Sequence, residues 1–242
     1  MQVAVVSGAS SGIGAELVSQ LRTRGWRTVG LSRRPSGADE HEACDVADRA
    51  AVQAAATRVL ERHPRVDLVV CNAGVAAGGG FLTAAPERIE ETVRVNYLGA
   101  VWTVLAFLPG LHASSHVVNV VSIAGTIAGG PYSASKHAQL AFSRSLAVEL
   151  APRGITVHTV NPGYVETPGF PKRGRLGPLA ERVVVDPPFV VDRLLAAVER
   201  NRAEIVVPRW YRPLAWAQAL APGALTHARR AHRRRSVRGS RA

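Results

Sequence analysis

Tyr132 and Lys136 stand four residues apart, a spacing that puts both side chains on one face of a helix. An ammonium beside a phenol stabilises the phenolate and lowers its pKa, so the tyrosine can work as acid or base near neutrality. Taken alone, such a pair is usually a solvated helix face. Its place changes the reading, because it follows an apolar strand pattern, Val117 to Val121, that ends in Ser122. A serine hydroxyl at that point can donate to a ligand oxygen and hold it beside the tyrosine, although a lone strand-end serine is by default a turn or a cap.

A second set of residues lies near the start of the chain. Gly8, Ser10, Ser11, Gly12, Ile13 and Gly14 fall between a short apolar run, Val3 to Ser7, and a helical pattern at Leu17, Val18 and Leu21. Glycine allows a sharp turn and close approach of the backbone to a pyrophosphate, and the helix that follows offers free N–H groups. A structural turn would use the same glycines. No Lys-Ser/Thr follows the last glycine, so this is not a Walker loop. The next strand pattern, Arg27 to Leu31, leads into Arg33 and Arg34. An acidic residue there would accept from the ribose 2′-hydroxyl of NAD, whereas arginine clamps a 2′-phosphate bidentately, so NADP(H) is favoured. Two arginines at a strand end also read as solvated surface.

The elements that must position these groups alternate. Strand patterns at 3–7, 27–31, 67–71, 116–121, 156–160 and 204–207 are separated by helical patterns, among them Asp48 to Arg62, Val95 to Leu108, Tyr132 to Leu150 and Pro187 to Arg200. Parallel neighbours need crossovers, so the expectation is an α/β fold with a doubly wound, Rossmann-like parallel sheet of about seven strands and helices on both faces. Ligands on such sheets bind beyond the carboxyl ends of the strands, where each of these residues falls. The alternation is read as one domain over residues 1–225, with a variable substrate loop at about 164–188. A basic tail, 226–242, is expected to be disordered.

The chain has 242 residues, 47% of them hydrophobic, and a net charge of +12. Seven arginines lie in its last fourteen residues, and without them the excess falls to +5, so most of it belongs to a tail. No helix-turn-helix, zinc finger or stacking motif accompanies the charge, so no specific nucleic-acid partner is expected. Two cysteines, Cys44 and Cys71, without metal-site spacing, and no signal-like start point to a reducing cytoplasm and to no metal. The stretch between Arg94 and Lys136 lacks charges, but Asn96, Pro109 and a glycine-rich loop interrupt it as a membrane span would not be interrupted.

With Gly8 to Gly14, Asn72-Ala73-Gly74, Asn96, Ser122, Tyr132-Ser-Ala-Ser-Lys136 and Pro162-Gly163 in this order, the chain resembles the short-chain dehydrogenases/reductases of the classical type, from Gln2 to about Thr167. The resemblance implies hydride transfer between a nicotinamide and a small-molecule carbonyl or alcohol. Tyr132 would be the acid and base, and Lys136 its pKa modulator and a ribose ligand. Ser122 would orient the substrate, and Asn96 would hold a water in a proton relay. It further implies that Asp45 and Val46 meet the adenine, that Asn72, Ala73 and Gly74 close over the adenosine ribose, and that Pro162, Gly163, Val165 and Thr167 meet the nicotinamide end. Relatives pair through the helices containing Val95 to Leu108 and Tyr132 to Leu150, which implies a homodimer or homotetramer. A non-catalytic dinucleotide sensor or scaffold on the same fold is the alternative.

Two features depart from the family pattern. The link from Ser122 to Tyr132 is a few residues short. The Trp210 to Ala242 segment has no counterpart in the resemblance; its aromatics fit either a peripheral membrane anchor, with the arginines drawn to anionic lipid, or a cover over the pocket. The segments Gly78 to Phe81, Ile123 to Pro131 and Tyr164 to Val185 should set specificity. Their side chains, including Phe81, Ile127, Tyr164, Phe170, Leu176 and Leu179, suggest an apolar ketone, aldehyde or alcohol.

Overall fold

In the computed structural model, which describes residues 1–170, 173–174, 181–224, 226–227 and 230, the run Val3–Ser7 forms β1, buried along its whole length. Such a strand needs cover on both faces, and its alternate residues serve two cores. Val3 and Val5 pack with Val52, Val59, Val104, Phe107 and Leu146 on one side. Ala4 and Val6 pack with Leu17, Leu21, Val190 and Leu194 on the other.

The strands that follow β1 are β2 (Arg27–Ser32), β3 (Glu40–Ala43), β4 (Val66–Cys71), β5 (Leu111–Val120), β6 (Thr156–Pro162) and β7 (Glu204–Val207). They form one sheet in the order β3-β2-β1-β4-β5-β6-β7, with each neighbouring pair parallel. Helices α1 (Gly12–Thr23) and α6 (Pro187–Glu199) supply one face. Helices α2 (Arg49–Arg62), α4 (Gly99–Phe107) and α5 (Pro131–Leu150) supply the other. The order reverses between β1 and β4, so the loops after these two strands diverge and leave a crevice at the carboxyl edge.

The doubly wound sheet is thus the one expected, with three differences in its elements. Sequence patterning misses β3, whose Glu-His-Glu-Ala carries no apolar run because its Glu40 and Glu42 pair with Arg62 of α2. It also misses α3 (Pro86–Val93), which has one fully buried residue, Thr92. The helix expected from Val95 begins instead as a π turn, Arg94–Leu98, joining α3 to α4. The aromatic segment at Trp210 forms a short turn, Arg209–Tyr211, and then α7 (Arg212–Leu220). Most of the basic tail, with Leu176 and Leu179 of the variable loop, lies outside the described residues. No helix among the described residues is long and apolar enough to cross a membrane.

Candidate active site

The glycine turn after β1 is shaped by backbone angles and close approaches that only glycine allows. Gly8 and Gly12 adopt φ of +67° and +57°, which side chains rarely take up. A Cβ on Gly14 would lie 2.3 Å from the Gly8 carbonyl oxygen and 2.5 Å from Asn72 Nδ2. Asn72 ties the turn to the loop after β4. Its Nδ2 donates to the carbonyls of Ser7 (3.0 Å) and Gly8 (3.3 Å), while the amides of Asn72 and Ala73 donate to Ser7 Oγ. These bonds hold the ends of β1 and β4 together beneath the Asn72-Ala73-Gly74 stretch.

Ser11 stands at the N-cap of α1 without a side-chain cap bond, and the first turn holds no carboxylate. The leading amides therefore have no capping partner from Ser11, and nothing in that turn repels an anion. Ser10 lies in the turn, and Ile13 packs into the core behind it. Beyond β2, the exposed Arg33 is only loosely paired with Asp45, at 3.8 Å, and Arg34 is exposed beside it. Asp45 also accepts from the Ala47 amide at 3.0 Å, whereas Val46 is buried, close enough to Gly99 that a Cβ there would meet it at 2.8 Å. A bare helix start and two loosely held guanidiniums form a donor set that fits a pyrophosphate and a further phosphate.

The second half of the site comes from β5, α5 and β6. Ser122 lies two residues past the end of β5, and the short link to α5 is taken up by a 3-10 turn, Ile123–Thr126, whose cap Ser122 provides by accepting from the Ala124 amide (3.1 Å). Ser122 Oγ also lies 3.4 Å from the Pro162 carbonyl, and its hydroxyl hydrogen-bonds that of Tyr132. The Tyr132 ring packs on Phe170, with centroids 5.5 Å apart. Gly130 touches Gly79 and Gly80, so the 78–80 loop closes beside the same tyrosine.

Burial governs the charges here. It pushes the Tyr132 phenol up to about 12, and the Ser122 hydrogen bond opposes this only in part. It pulls the Lys136 ammonium down to about 7, against a small opposing effect of the buried Cys71. The lowered phenol expected from the Tyr132–Lys136 spacing is therefore not what this geometry produces. Lys136 Nζ instead donates to the Val120 carbonyl (3.0 Å) and to Gln139 Oε1 (2.7 Å). The phenol accordingly keeps its proton at neutral pH, the form that can protonate a substrate oxygen.

Asn96 is fully buried in the π turn, and its side chain is consumed by the protein. Oδ1 accepts from the Val75 amide at 2.8 Å, and Nδ2 donates to the Val75 carbonyl and to Ser135 Oγ, each at 3.0 Å. It thereby fixes the loop carrying Gly74 against α5. Past β6, Val165 bridges to Val185, and Thr167 rests on Gly12. Gly163 has no room for a side chain: a Cβ there would lie 2.1 Å from the Tyr211 ring. The C-terminal segment thus covers the loop after β6 through Tyr211, which also meets Tyr164 edge-on at 6.4 Å. Trp210 and Trp216 of the same segment stay more than half exposed. Tyr211 is one of the aromatics read from the sequence as a possible cover over the pocket, whereas sequence reasoning overlooked Gln139, although it stands three residues after Lys136 on the same helix face.

Comparison with known proteins agrees with this arrangement. The family model described as short chain dehydrogenase matches residues 2–175. A 3-ketodihydrosphingosine reductase of Bacteroides thetaiotaomicron is 33% identical over 177 residues, which span 70% of this chain and 65% of that protein. A short chain dehydrogenase of Burkholderia cenocepacia, solved in complex with NADP, is 30% identical with a TM-score of 0.81, covering 95% of this chain and 98% of that one. A relative from Burkholderia phymatum, solved in complex with NAD, is 25% identical with a TM-score of 0.79, covering 90% and 92%. Given this match over most of the chain, the glycine turn and the Ser122–Tyr132–Lys136 grouping, the protein is a classical short-chain dehydrogenase/reductase, an oxidoreductase of carbonyls and alcohols that uses a nicotinamide dinucleotide.

Proposed function

We propose that the chain is an NADP(H)-dependent carbonyl reductase or alcohol dehydrogenase in which Tyr132 is the general acid and base. The observation that carries this reading is the contact between the Ser122 and Tyr132 hydroxyls at the carboxyl edge of β5. Two hydroxyls held together there can both bond one substrate oxygen. The dinucleotide supplies the hydride when bound.

Gly8, Gly12, Gly14 and the amides opening α1 would hold its pyrophosphate, Arg33 and Arg34 a 2′-phosphate, and Asp45 and Val46 the adenine. Asn72, Ala73, Gly74 and Lys136 would meet the riboses, and Pro162, Gly163, Val165 and Thr167 the nicotinamide end. Within the chain, Ser122 fixes the substrate oxygen, and Tyr132 delivers its proton to that oxygen in reduction or removes it in oxidation. Asn96 holds the loop behind Lys136. The preference for NADP rests on the two arginines alone, since relatives have been solved with either dinucleotide.

An apolar ketone, aldehyde or secondary alcohol fits the Phe170 ring that packs on Tyr132 and the small residues of the 78–80 and 127–131 loops. We further infer one domain over residues 1–225, and pairing of chains through α4 and α5. Leu105 and Val148 are exposed on these helices beside the exposed small residues Ala134, Ala141 and Ser145. Both free cysteines are buried, which suits a reducing cytoplasm.

A panel of ketones and aldehydes, assayed with NADPH and NADH in parallel, tests the reading. Turnover with NADPH that Tyr132→Phe abolishes, while its NADPH dissociation constant stays within about threefold, is expected. Wild-type rates in that variant would exclude the mechanism. Tight binding without turnover across the panel would favour the sensor instead. Light scattering reads the oligomeric state on the same samples.

A further inference from the structure

Helix α5 carries Tyr132, Lys136 and Gln139 along one face. Gln139 is fully buried, and its Oε1 accepts from Lys136 Nζ at 2.7 Å. While Lys136 is protonated the carboxamide cannot be turned the other way, because an ammonium only donates and needs the oxygen. Its Nε2, in contrast, has no partner among the described residues. Burying an amide with its donor unpaired is unfavourable, and a leucine of similar size would avoid it. What the glutamine adds at this position is therefore its oxygen.

An ammonium has three N–H groups. One goes to the Val120 carbonyl, at 3.0 Å, and one to Gln139. The remaining direction includes the bare face of Gly74, where a Cβ would lie 3.7 Å from Nζ and 3.4 Å from Asn96 Oδ1. The titratable neighbours are Cys71 from β4 and Tyr132 one turn earlier on α5. Both are pushed up to about 12, so neither carries charge at neutral pH. At neutral pH the hydrogen-bond partners of the Lys136 ammonium are thus neutral oxygens.

We propose that Gln139 is a positioning residue for Lys136. Its carboxamide oxygen, with the Val120 carbonyl, holds the ammonium in place and charged, leaving one N–H for the dinucleotide. This rests on the function proposed above and adds a residue to it.

The sequence makes a direct test possible, because Lys136 and Lys172 are its two lysines. In the full chain carrying Lys172→Arg, isotopically labelled lysine gives a single side-chain NMR signal whose midpoint can be followed with pH. The midpoint is expected to fall by about one unit in Gln139→Leu and to rise by about one unit in Gln139→Glu. Fluorescence titration with NADPH should show about tenfold weaker binding to Gln139→Leu, with an unchanged circular dichroism spectrum.

Coincident midpoints in the three proteins would overturn the proposal. So would shifted midpoints with an unchanged NADPH dissociation constant. Should Gln139→Leu not fold, Gln139→Glu and Gln139→Met carry the same comparison. None of these measurements requires turnover, so a failure of Tyr132→Phe to abolish activity would reject the catalytic reading and leave the test of Gln139 intact.

Discussion

A Cβ built on Gly12 would lie 2.9 Å from Cγ2 of Thr167. The turn after β1 and the loop after β6 are far apart in sequence, yet they touch at the mouth of the crevice. Gly12 also sits at φ +57°, so a side chain there meets both backbone strain and a methyl group. Gly12→Ala is expected to cost about 1–2 kcal/mol of stability and to weaken NADPH binding more than tenfold, because the turn must shift where the phosphates are held. Gly37→Ala, with nothing within 4 Å of its Cβ, serves as the control and should change neither. Equal melting temperatures and NADPH titrations for the two variants would show that the contact has no bearing on the site.

That contact illustrates what could be read without the structure. Gly12 announces itself because a tight turn before a helix is local backbone chemistry, and Thr167 fits a family pattern. Their mutual contact depends on β1 and β6 being brought to one edge, which no local pattern encodes. Tyr132 was legible by its spacing from Lys136, but its pKa was not: proximity predicts a lowered phenol, and burial reverses the sign. Gln139 looks like any surface glutamine of a helix until its burial and its bond to Lys136 are known. Edge strand β3 stayed hidden for the opposite reason, since its charges are satisfied by partners from α2 and not by an apolar face.

The buried Lys136 should make stability depend on pH in an identifiable way. Its folded pKa of about 7 lies below the ordinary 10.5, so between these values the unfolded chain binds the proton more tightly. Stability therefore rises with pH across that window, and the cost of burying the charge is fully present below pH 7. Lys136→Met removes the cost. Urea denaturation should find this variant more stable than wild type by a few kcal/mol at about pH 6, with the difference shrinking as pH approaches about 10. A difference that does not vary with pH would mean that the lysine is not buried as a charge.

Arg33 and Arg34 bear on cofactor choice. With Arg33 only 3.8 Å from Asp45 and both side chains well exposed, the pair contributes little to folding and leaves the guanidinium free for a phosphate. Replacing both arginines by alanine should reduce kcat/KM for NADPH about 10- to 100-fold and leave that for NADH nearly unchanged, with no loss of thermal stability. An unchanged NADPH-to-NADH ratio would remove the NADP assignment while leaving Tyr132 and Lys136 untouched.

The acid limb of stability should trace to β3. Burial alone would raise the Glu40 carboxyl, but hydrogen bonds from His63, Arg27 and Arg62 outweigh it and hold the group down to about 2. Arg62 reaches Glu42 as well, at 2.7 Å, and Arg58 joins it, so α2 clamps the edge strand through two carboxylates. A depressed carboxylate stabilises the fold above its unfolded value of 4.5, and that contribution disappears as pH falls towards 2. The arginines are nearly half exposed, so solvent screening reduces the clamp to about 1 kcal/mol. Glu40→Gln should therefore lose about that amount at neutral pH and nothing relative to wild type near pH 2. Amide exchange across Glu40–Ala43 should quicken in the variant before exchange in β1 does, because an edge strand opens locally without unfolding the sheet. Equal protection of β3 in the two proteins would place its stability in backbone pairing with β2 and not in the ion pairs.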